Sequence, residues 1–278
     1  MEAAGQLGHR GILLHPGRYT VGLGVMGPTV HPVRGALEVD VVLPRIGASI
    51  KEYGLSMIRH FELSGIPVIN SFQSILLASN KFLCLQTLCK QGIPIPESRY
   101  ASNWSNLDKA LSLLGGYPLV IKAPRSRQGS GVFLLESREG GKERLEGMLN
   151  QGRGVLLQEF IPPDKRKDIR IVVAGSRALG TMALTPRRGD FRANVHLRGR
   201  AEALEPTGEM LDLALRATRA VHLDISGVDM IEDGEGALRV IEVNYAPGFK
   251  GMEKCTGRDI AIEIVKYVTR VAEGHSCR

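Results

Sequence analysis

Gly227-Val228-Asp229-Met230-Ile231, a turn at Asp233-Gly234-Glu235-Gly236, and Leu238-Arg239-Val240-Ile241-Glu242-Val243-Asn244 decide how this chain is read. Apolar and β-branched residues on both sides of an Asp- and Gly-rich turn predict two strands joined as a hairpin. Residues two apart on a strand share a face, so Glu242 and Asn244 point one way and Val243 the other; Asp229, on the partner strand, can join them. Two carboxylates and an amide oxygen make a hard-oxygen cluster that suits Mg²⁺, which takes one or two carboxylates together with substrate phosphates. A solvated hairpin face is the alternative, because Asp and Glu are usually exposed.

Outward from the hairpin, composition sets the limits. The 278 residues, 43% of them hydrophobic, suffice for one large or two to three small domains. There is no run of 18 apolar residues, and Met1-Glu2-Ala3-Ala4-Gly5 lacks the basic start and apolar stretch of a signal peptide, so a cytoplasmic protein without membrane contact is expected. Cys84, Cys89, Cys255 and Cys277 show no C-x-x-C spacing, which points to free thiols. The net charge of +7, from 36 Lys and Arg against 29 Asp and Glu, favours acidic ligands. With 5% aromatic content and no nucleic-acid-binding motif, nucleotides or carboxylate substrates fit better than nucleic acid.

Residues 1–72 read as an α/β domain, with strands at 11–14, 39–44 and 66–69 and a helix over 53–64. Gly22-Leu23-Gly24-Val25-Met26-Gly27 satisfies the dinucleotide pattern, yet Pro28 and Pro32 follow where a helix should open. The stretch is read as an irregular loop. Residues 73–156 form a second unit, with helices over 79–91 and 106–114 and strands at 118–122 and 131–135. Residues 157–278 form a third, the boundary falling within a strand at 155–159. It has strands at 169–173 and 178–184, a helix over 207–222, the hairpin, and a closing amphipathic helix from Arg258 to about Ala272.

Lys122 ends an apolar strand, and Gln128-Gly129-Ser130-Gly131 precedes the next. Such a loop can fold its N–H groups over phosphates while Lys122 supplies a point charge, although a plain hairpin turn explains the glycines equally well. Gln158-Glu159-Phe160-Ile161 leaves a strand toward Asp168, an arrangement able to present backbone groups to adenine and Asp168 to a ribose; locally, an ordinary core strand and loop is the better explanation. The order along the chain decides: Lys81, Lys122, the glycine loop, Glu159, Arg192-Ala193-Asn194, Asp229, then Glu242-x-Asn244.

In that order the chain resembles the ATP-grasp fold, and within it the RimK-type glutamate ligases. Leu43-Pro44-Arg45-Ile46-Gly47, Gly189-Asp190-Phe191-Arg192-Ala193-Asn194-Val195-His196, Ser226-Gly227-Val228-Asp229, Ala246-Pro247-Gly248 and Gly251-Met252-Glu253-Lys254-x-Thr256-Gly257 carry the resemblance, which runs nearly end to end. It implies an N-terminal pre-ATP-grasp domain, and residues 2–9 resemble the end of that domain's first helix, so its first strand is expected to be missing. The exposed edge would be covered by a partner or by a second copy in a homo-oligomer. It further implies Lys81 and Lys122 on ATP phosphates, with Gln128, Gly129, Ser130 and Gly131 in the phosphate loop. Gln158, Glu159 and Phe160 would sit at the adenine hinge and Asp168 at the ribose. Arg192, as the catalytic cation, and Asn194 would face the phosphates. Asp229, Glu242 and Asn244 would bind two Mg²⁺, for which Mn²⁺ can substitute. The implied activity adds an amino acid, glutamate by resemblance, to a carboxylate acceptor through an acyl phosphate. A ligase for a different amino acid and acid, and an ATP-binding regulatory protein, remain the other readings.

Three departures from the family lie near this site. Arg125-Ser126-Arg127-Gln128 replaces an acidic-Gly-Thr-Gln sequence, Leu184-Thr185 stands where an arginine pair is usual, and Leu197-Arg198-Gly199-Arg200 replaces Arg-Gly-Gly. Arg187 or Arg188 is expected to take over the displaced charge, and altered acceptor specificity is the economical consequence.

Overall fold

The computed structural model describes residues 1–25, 27–32, 37–46, 52–126, 131–192 and 200–276. Residues 1–10 supply a short helix, α1 (Glu2–Gln6), and no strand. The glycine stretch at 22–27 lies in a hairpin of β1 (Tyr19–Gly24) and β2 (Gly27–Pro32), not in an irregular loop. Both strands of a two-stranded sheet are edges, where proline is tolerated, so Pro28 and Pro32 do not prevent pairing. No helix opens on the glycines, and the dinucleotide reading stays rejected. The expected strand at 11–14 is irregular, and those at 39–44 and 66–69 reduce to one parallel bridge, Val42 to Val68. Helix α2 (Glu52–Leu63) buries Leu55, Met57, Ile58 and Phe61.

A helix outside the expectation, α3 (Phe72–Ala78), precedes α4 (Lys81–Lys90), which is the helix expected over 79–91. Ser71 and Asn80 end their unpaired amides: Ser71 accepts from Ser74 N–H, and Asn80 from the N–H groups of Phe82 and Leu83. Then follow β3 (Ser98–Ala101), α5 (Trp104–Leu113), β4 (Leu119–Lys122), β5 (Val132–Leu135), α6 (Arg138–Leu149) and β6 (Val155–Glu159). The strands form an antiparallel sheet in the order β3-β6-β4-β5, with Leu107, Leu145 and Leu149 of the helices packed on Leu119, Ile121 and Leu135. The sequence reading assigned no element to α6, whose Gly140 and Gly141 are poor helix formers. A Cβ on Gly141 would lie 2.0 Å from Leu135 Cδ1, so the buried Leu135 side chain would have to turn aside to admit one.

The larger sheet, ordered β11-β10-β7-β8-β9, is built from β7 (Arg166–Ala174), β8 (Arg177–Thr185), β9 (Arg200–Ala203), β10 (Ile225–Asp233) and β11 (Leu238–Asn244). Alternation on β7 divides its two faces. Ile169, Ile171 and Val173 pack with Met210, Leu213 and Ala217 of α7 (Gly208–Ala220), which Thr207 caps. On the other face Val172 and Ala174 lie with Met252 of α8 (Lys250–Thr256) and Ile260, Ile264 and Val268 of α9 (Ile260–Ser276). Further along that face the period-two positions are Arg166, Asp168 and Arg170. They line a cleft between the two sheets instead of a core.

Candidate active site

The hairpin forms in the expected register. Asp229 lies opposite Glu242, and Gly227 opposite Asn244, with an irregularity between Asp229 and Met230. Asp229 also lies opposite Arg170 on β7, and Arg170 grips it with Nε and Nη2 at 2.6 and 2.7 Å. Asn244 Nδ2 donates to Asp229 Oδ2 at 2.9 Å. Lys81, at the first turn of α4, donates to Glu242 Oε1 at 2.5 Å. Burial alone would push the Glu242 carboxyl up, but Lys81, Lys122 and Arg170 together hold it below the usual range. Burial works against the charge on Arg170, and Asp229 more than offsets it, so its pKa rises.

Among the described residues no group of three or more His, Cys, Asp or Glu converges on a point. The donor set is two facing carboxylates and one amide oxygen, and the Glu242 side chain keeps 34% of its surface open. That set fits Mg²⁺, which leaves most of its coordination to water and phosphate, and it would not hold a fully caged cation. Lys81 differs from expectation: its ammonium lies on the proposed metal-binding carboxylate itself.

Lys122 is 7% exposed and donates to Gln158 Oε1 at 2.5 Å, while Gln158 Nε2 donates to Ser98 Oγ at 2.9 Å. Burial, then the charge of Lys81, pulls the Lys122 pKa down to about 8, with Glu242 opposing. The Gln158 side chain thus positions a cation. Glu159 is also committed: its Oε1 accepts from Glu97 N–H at 2.9 Å and from Arg239 at 3.2 Å. Phe160 packs edge-on against Phe191, with centroids 5.9 Å apart, and Ile161 lines the cleft beside Glu159. Asp168 is held by Arg166 Nε at 3.0 and 3.2 Å; burial pushes its carboxyl up and Arg166 opposes that. Arg166 also donates to the Ile161 and Phe191 carbonyls, tying the hinge to the sheet. Arg192 lines the cleft and binds Asp190 at 2.8 Å, which holds Asp190 below the usual carboxylate range. Gly131, at φ +71°, closes the loop, and its carbonyl accepts from Ala123 N–H at 2.8 Å. Gln128, Gly129, Ser130 and Asn194 lie outside the described residues.

Lys81, Lys122, Gln158, Glu159, Asp168, Arg192, Asp229, Glu242 and Asn244 line one cleft of about 510 Å³, whereas Phe160 and Gly131 are not among its walls. Leu184 lines it, whereas Arg187 and Arg188 are exposed and absent from its walls, contrary to the compensation expected of them. The cations set into this part of the sheet are Arg166 and Arg170. The alternation Arg166-x-Asp168-x-Arg170 was the available signal for both.

The sequence profile of the RimK pre-ATP-grasp domain matches residues 1–75, and that of the RimK-like ATP-grasp domain matches residues 78–268. A probable alpha-L-glutamate ligase of Coxiella burnetii (strain RSA 493 / Nine Mile phase I) is 35% identical over 273 residues, 98% of this chain and 90% of the relative. The RimK domain ATP-grasp protein of Sphaerobacter thermophilus DSM 20745 superposes with a TM-score of 0.74 at 24% identity, over 96% of this chain and 92% of that one. The ATP-grasp ligase PsnB, complexed with minimal precursor, Mg and ADP, superposes with a TM-score of 0.72 at 20% identity, over 98% of this chain and 92% of its own. At those identities the two structures establish a shared fold.

Proposed function

The chain belongs to the RimK-type ATP-grasp family, and we propose that it is an ATP-dependent carboxylate–amine ligase adding L-glutamate to a carboxylate acceptor, either a protein C-terminus or a small acid. The supporting observation is the convergence of Asp229, Glu242 and Asn244 with Lys81, Lys122 and Arg192 around one cleft. A carboxylate is a poor electrophile. In the proposed reaction its oxygen attacks the γ-phosphorus of ATP, ADP leaves, and an acyl phosphate forms. The glutamate nitrogen then attacks the acyl carbon, phosphate leaves with the bonding pair, and the nitrogen gives up its proton.

Lys81 and Lys122 would bind phosphate oxygens, the segment from Glu159 to Ile161 would border the adenine, and Asp168 would face the ribose with Arg166 holding it. Two Mg²⁺ or Mn²⁺ on Asp229, Glu242 and Asn244 would neutralise charge gathering on the phosphates. Arg192, oriented by Asp190, would stabilise the tetrahedral oxyanion. The test is incubation with ATP, Mg²⁺, L-glutamate and a panel of acids, reading phosphate release and product mass. A product carrying another amino acid would make this a different ligase of the same fold. Nucleotide binding without phosphate release against every acid would make it a regulatory protein.

A further inference from the structure

Two ion pairs hold the carboxylates of the proposed metal site, and they are built differently. Arg170 and Asp229 face each other across adjacent strands of one sheet. The guanidinium grips both carboxylate oxygens in a planar fork, and Asn244 donates to one of them as well. That pair is set by the ladder. Lys81 and Glu242 instead join α4 to β11 through a single contact of 2.5 Å from Nζ to Oε1. An ammonium on a flexible four-carbon stem keeps no fixed geometry, so of the two cations Lys81 is the one able to change partners. Its backbone stays in place when it does: Lys81 N–H donates to the Pro124 carbonyl at 2.8 Å, which fastens the start of α4 to the segment leading from β4 into the glycine loop. The charge of Lys81 also acts on Lys122, so its ammonium lies within electrostatic reach of the second phosphate cation.

Burial makes a change of partners costly unless both sides are served. The side chains of Lys81 and Glu242 keep only 11% and 34% of their surfaces exposed. Taking one partner from such a pair leaves the other charged, poorly solvated and unmatched, which costs more than replacing both. A divalent cation on Glu242 with no phosphate nearby strands Lys81 beside it, and the charges of Lys122 and Arg170, which also act on Glu242, add to the repulsion. ATP that draws off Lys81 with no cation leaves the Glu242 carboxylate facing phosphate oxygens. Arriving together, cation and phosphates match both halves of the pair.

We propose that Lys81 is the internal counter-cation of Glu242 and that this ion pair couples metal to nucleotide, Glu242 passing to the divalent cation as Lys81 passes to the phosphates. This rests on the ligase reading above for the places of cation and phosphate, and not on which amino acid or acid is joined. Glu242 thereby acts on nucleotide affinity as a positioning residue for Lys81, in addition to its role as a ligand. The pair disfavours either ligand by itself and admits the two together.

Binding to the full chain, with no acid present, tests the coupling through two probes: Mn²⁺ alone, followed by electron paramagnetic resonance, and ATP with a chelator, followed by calorimetry. Glu242→Gln should tighten metal-free ATP by about fivefold or more, because Lys81 is released from a charged partner. The same substitution in a Lys81→Met background should change that affinity by less than about twofold, since the gain runs through Lys81. Reciprocally, Lys81→Met should tighten Mn²⁺ binding by about fivefold or more, and should give no gain once Glu242 is replaced by Gln. Lys81→Gln supplies the same comparisons if the methionine variant fails to fold. An unchanged or weaker affinity in either single variant would overturn the inference. So would a gain of equal size with Lys81 replaced, which is simple loss of a negative charge near the phosphates. ADP formation over a panel of acids, measured separately, reports on the ligase reading: coupling without turnover leaves the exchange standing and removes the reaction, and turnover without coupling does the reverse.

Discussion

Replacing Asn70 by Ala should be the most damaging single change at the back of the cleft. Asn70 is 2% exposed; its Nδ2 donates to the carbonyls of Ile225 and Tyr245 at 2.7 and 2.8 Å, and its Oδ1 accepts from the amides of Asp224 and Ile225 at 2.7 and 2.8 Å. It thereby joins the N-terminal region to the start of β10 and to the loop carrying Tyr245. At ~1 kcal/mol net per bond the loss is ~4 kcal/mol, and unpaired buried partners work in the same direction. A domain of ordinary stability holds only ~5–15 kcal/mol, so the melting temperature should fall by roughly 10 °C. Asn70→Asp separates the two halves of the network. It keeps both accepted bonds but turns an oxygen toward two carbonyls. That arrangement favours the protonated acid, which can donate one bond, so the folded-state pKa is raised. The restored stability is then fully present below the unfolded pKa and lost as pH rises through the folded one. Thermal melts of both variants beside the wild type, near pH 4 and pH 8, should show Asn70→Asp closer to the parent at the lower pH. A drop of under ~2 °C for Asn70→Ala, against the ~4 kcal/mol assigned, would refute the network as a structural clamp.

Glu242→Gln should lower ATP-dependent phosphate release by roughly a hundredfold or more while circular dichroism stays that of the parent, because one neutral ligand weakens the cation site and Lys81 can still donate to the amide; near-parental turnover would exclude the metal role. With the Lys122 pKa at about 8, ATP affinity should be level below that pH and weaken above it, and binding near pH 8.5 should take up protons in calorimetry with buffers of different ionisation enthalpy. The same shift makes this group's contribution to stability rise between the folded value and the ordinary lysine pKa, since the unfolded chain binds more protons there. Lys122→Met should remove both effects, and a parent affinity flat across that window would rule out Lys122 as the phosphate cation. Arg187→Ala and Arg188→Ala should each retain turnover within about twofold, the range expected of exposed substitutions away from partners; a large kcat loss in either would show that the exposed arginine reaches the substrate during the reaction.

Much of the cleft was legible because its signals are local. Alternation along Ile225–Asp233 and Leu238–Asn244, with an Asp-Gly turn between them, is enough to put Asp229, Glu242 and Asn244 on one face, and the register bears this out. Lys122 at the end of an apolar strand and Gly131 after it were likewise readable from neighbours a few residues away. The same local logic offered no element over α6 (Arg138–Leu149), whose two glycines are poor helix formers. It also misjudged β1 and β2, where two prolines concealed a hairpin that has only edges.

What each side chain does inside the cleft was decided by tertiary structure. Glu242 meets Lys81 across 161 positions, Arg239 meets Glu159 across 80, Asn70 meets Tyr245 across 175, and Arg45 meets Pro247 across 202. No periodicity spans such separations. Spacing in the chain sets which face of a strand or helix a residue occupies, because backbone geometry repeats every two or 3.6 residues. Which charge neutralises which depends on how the sheets and helices pack, and that packing alone decides which groups lose water together.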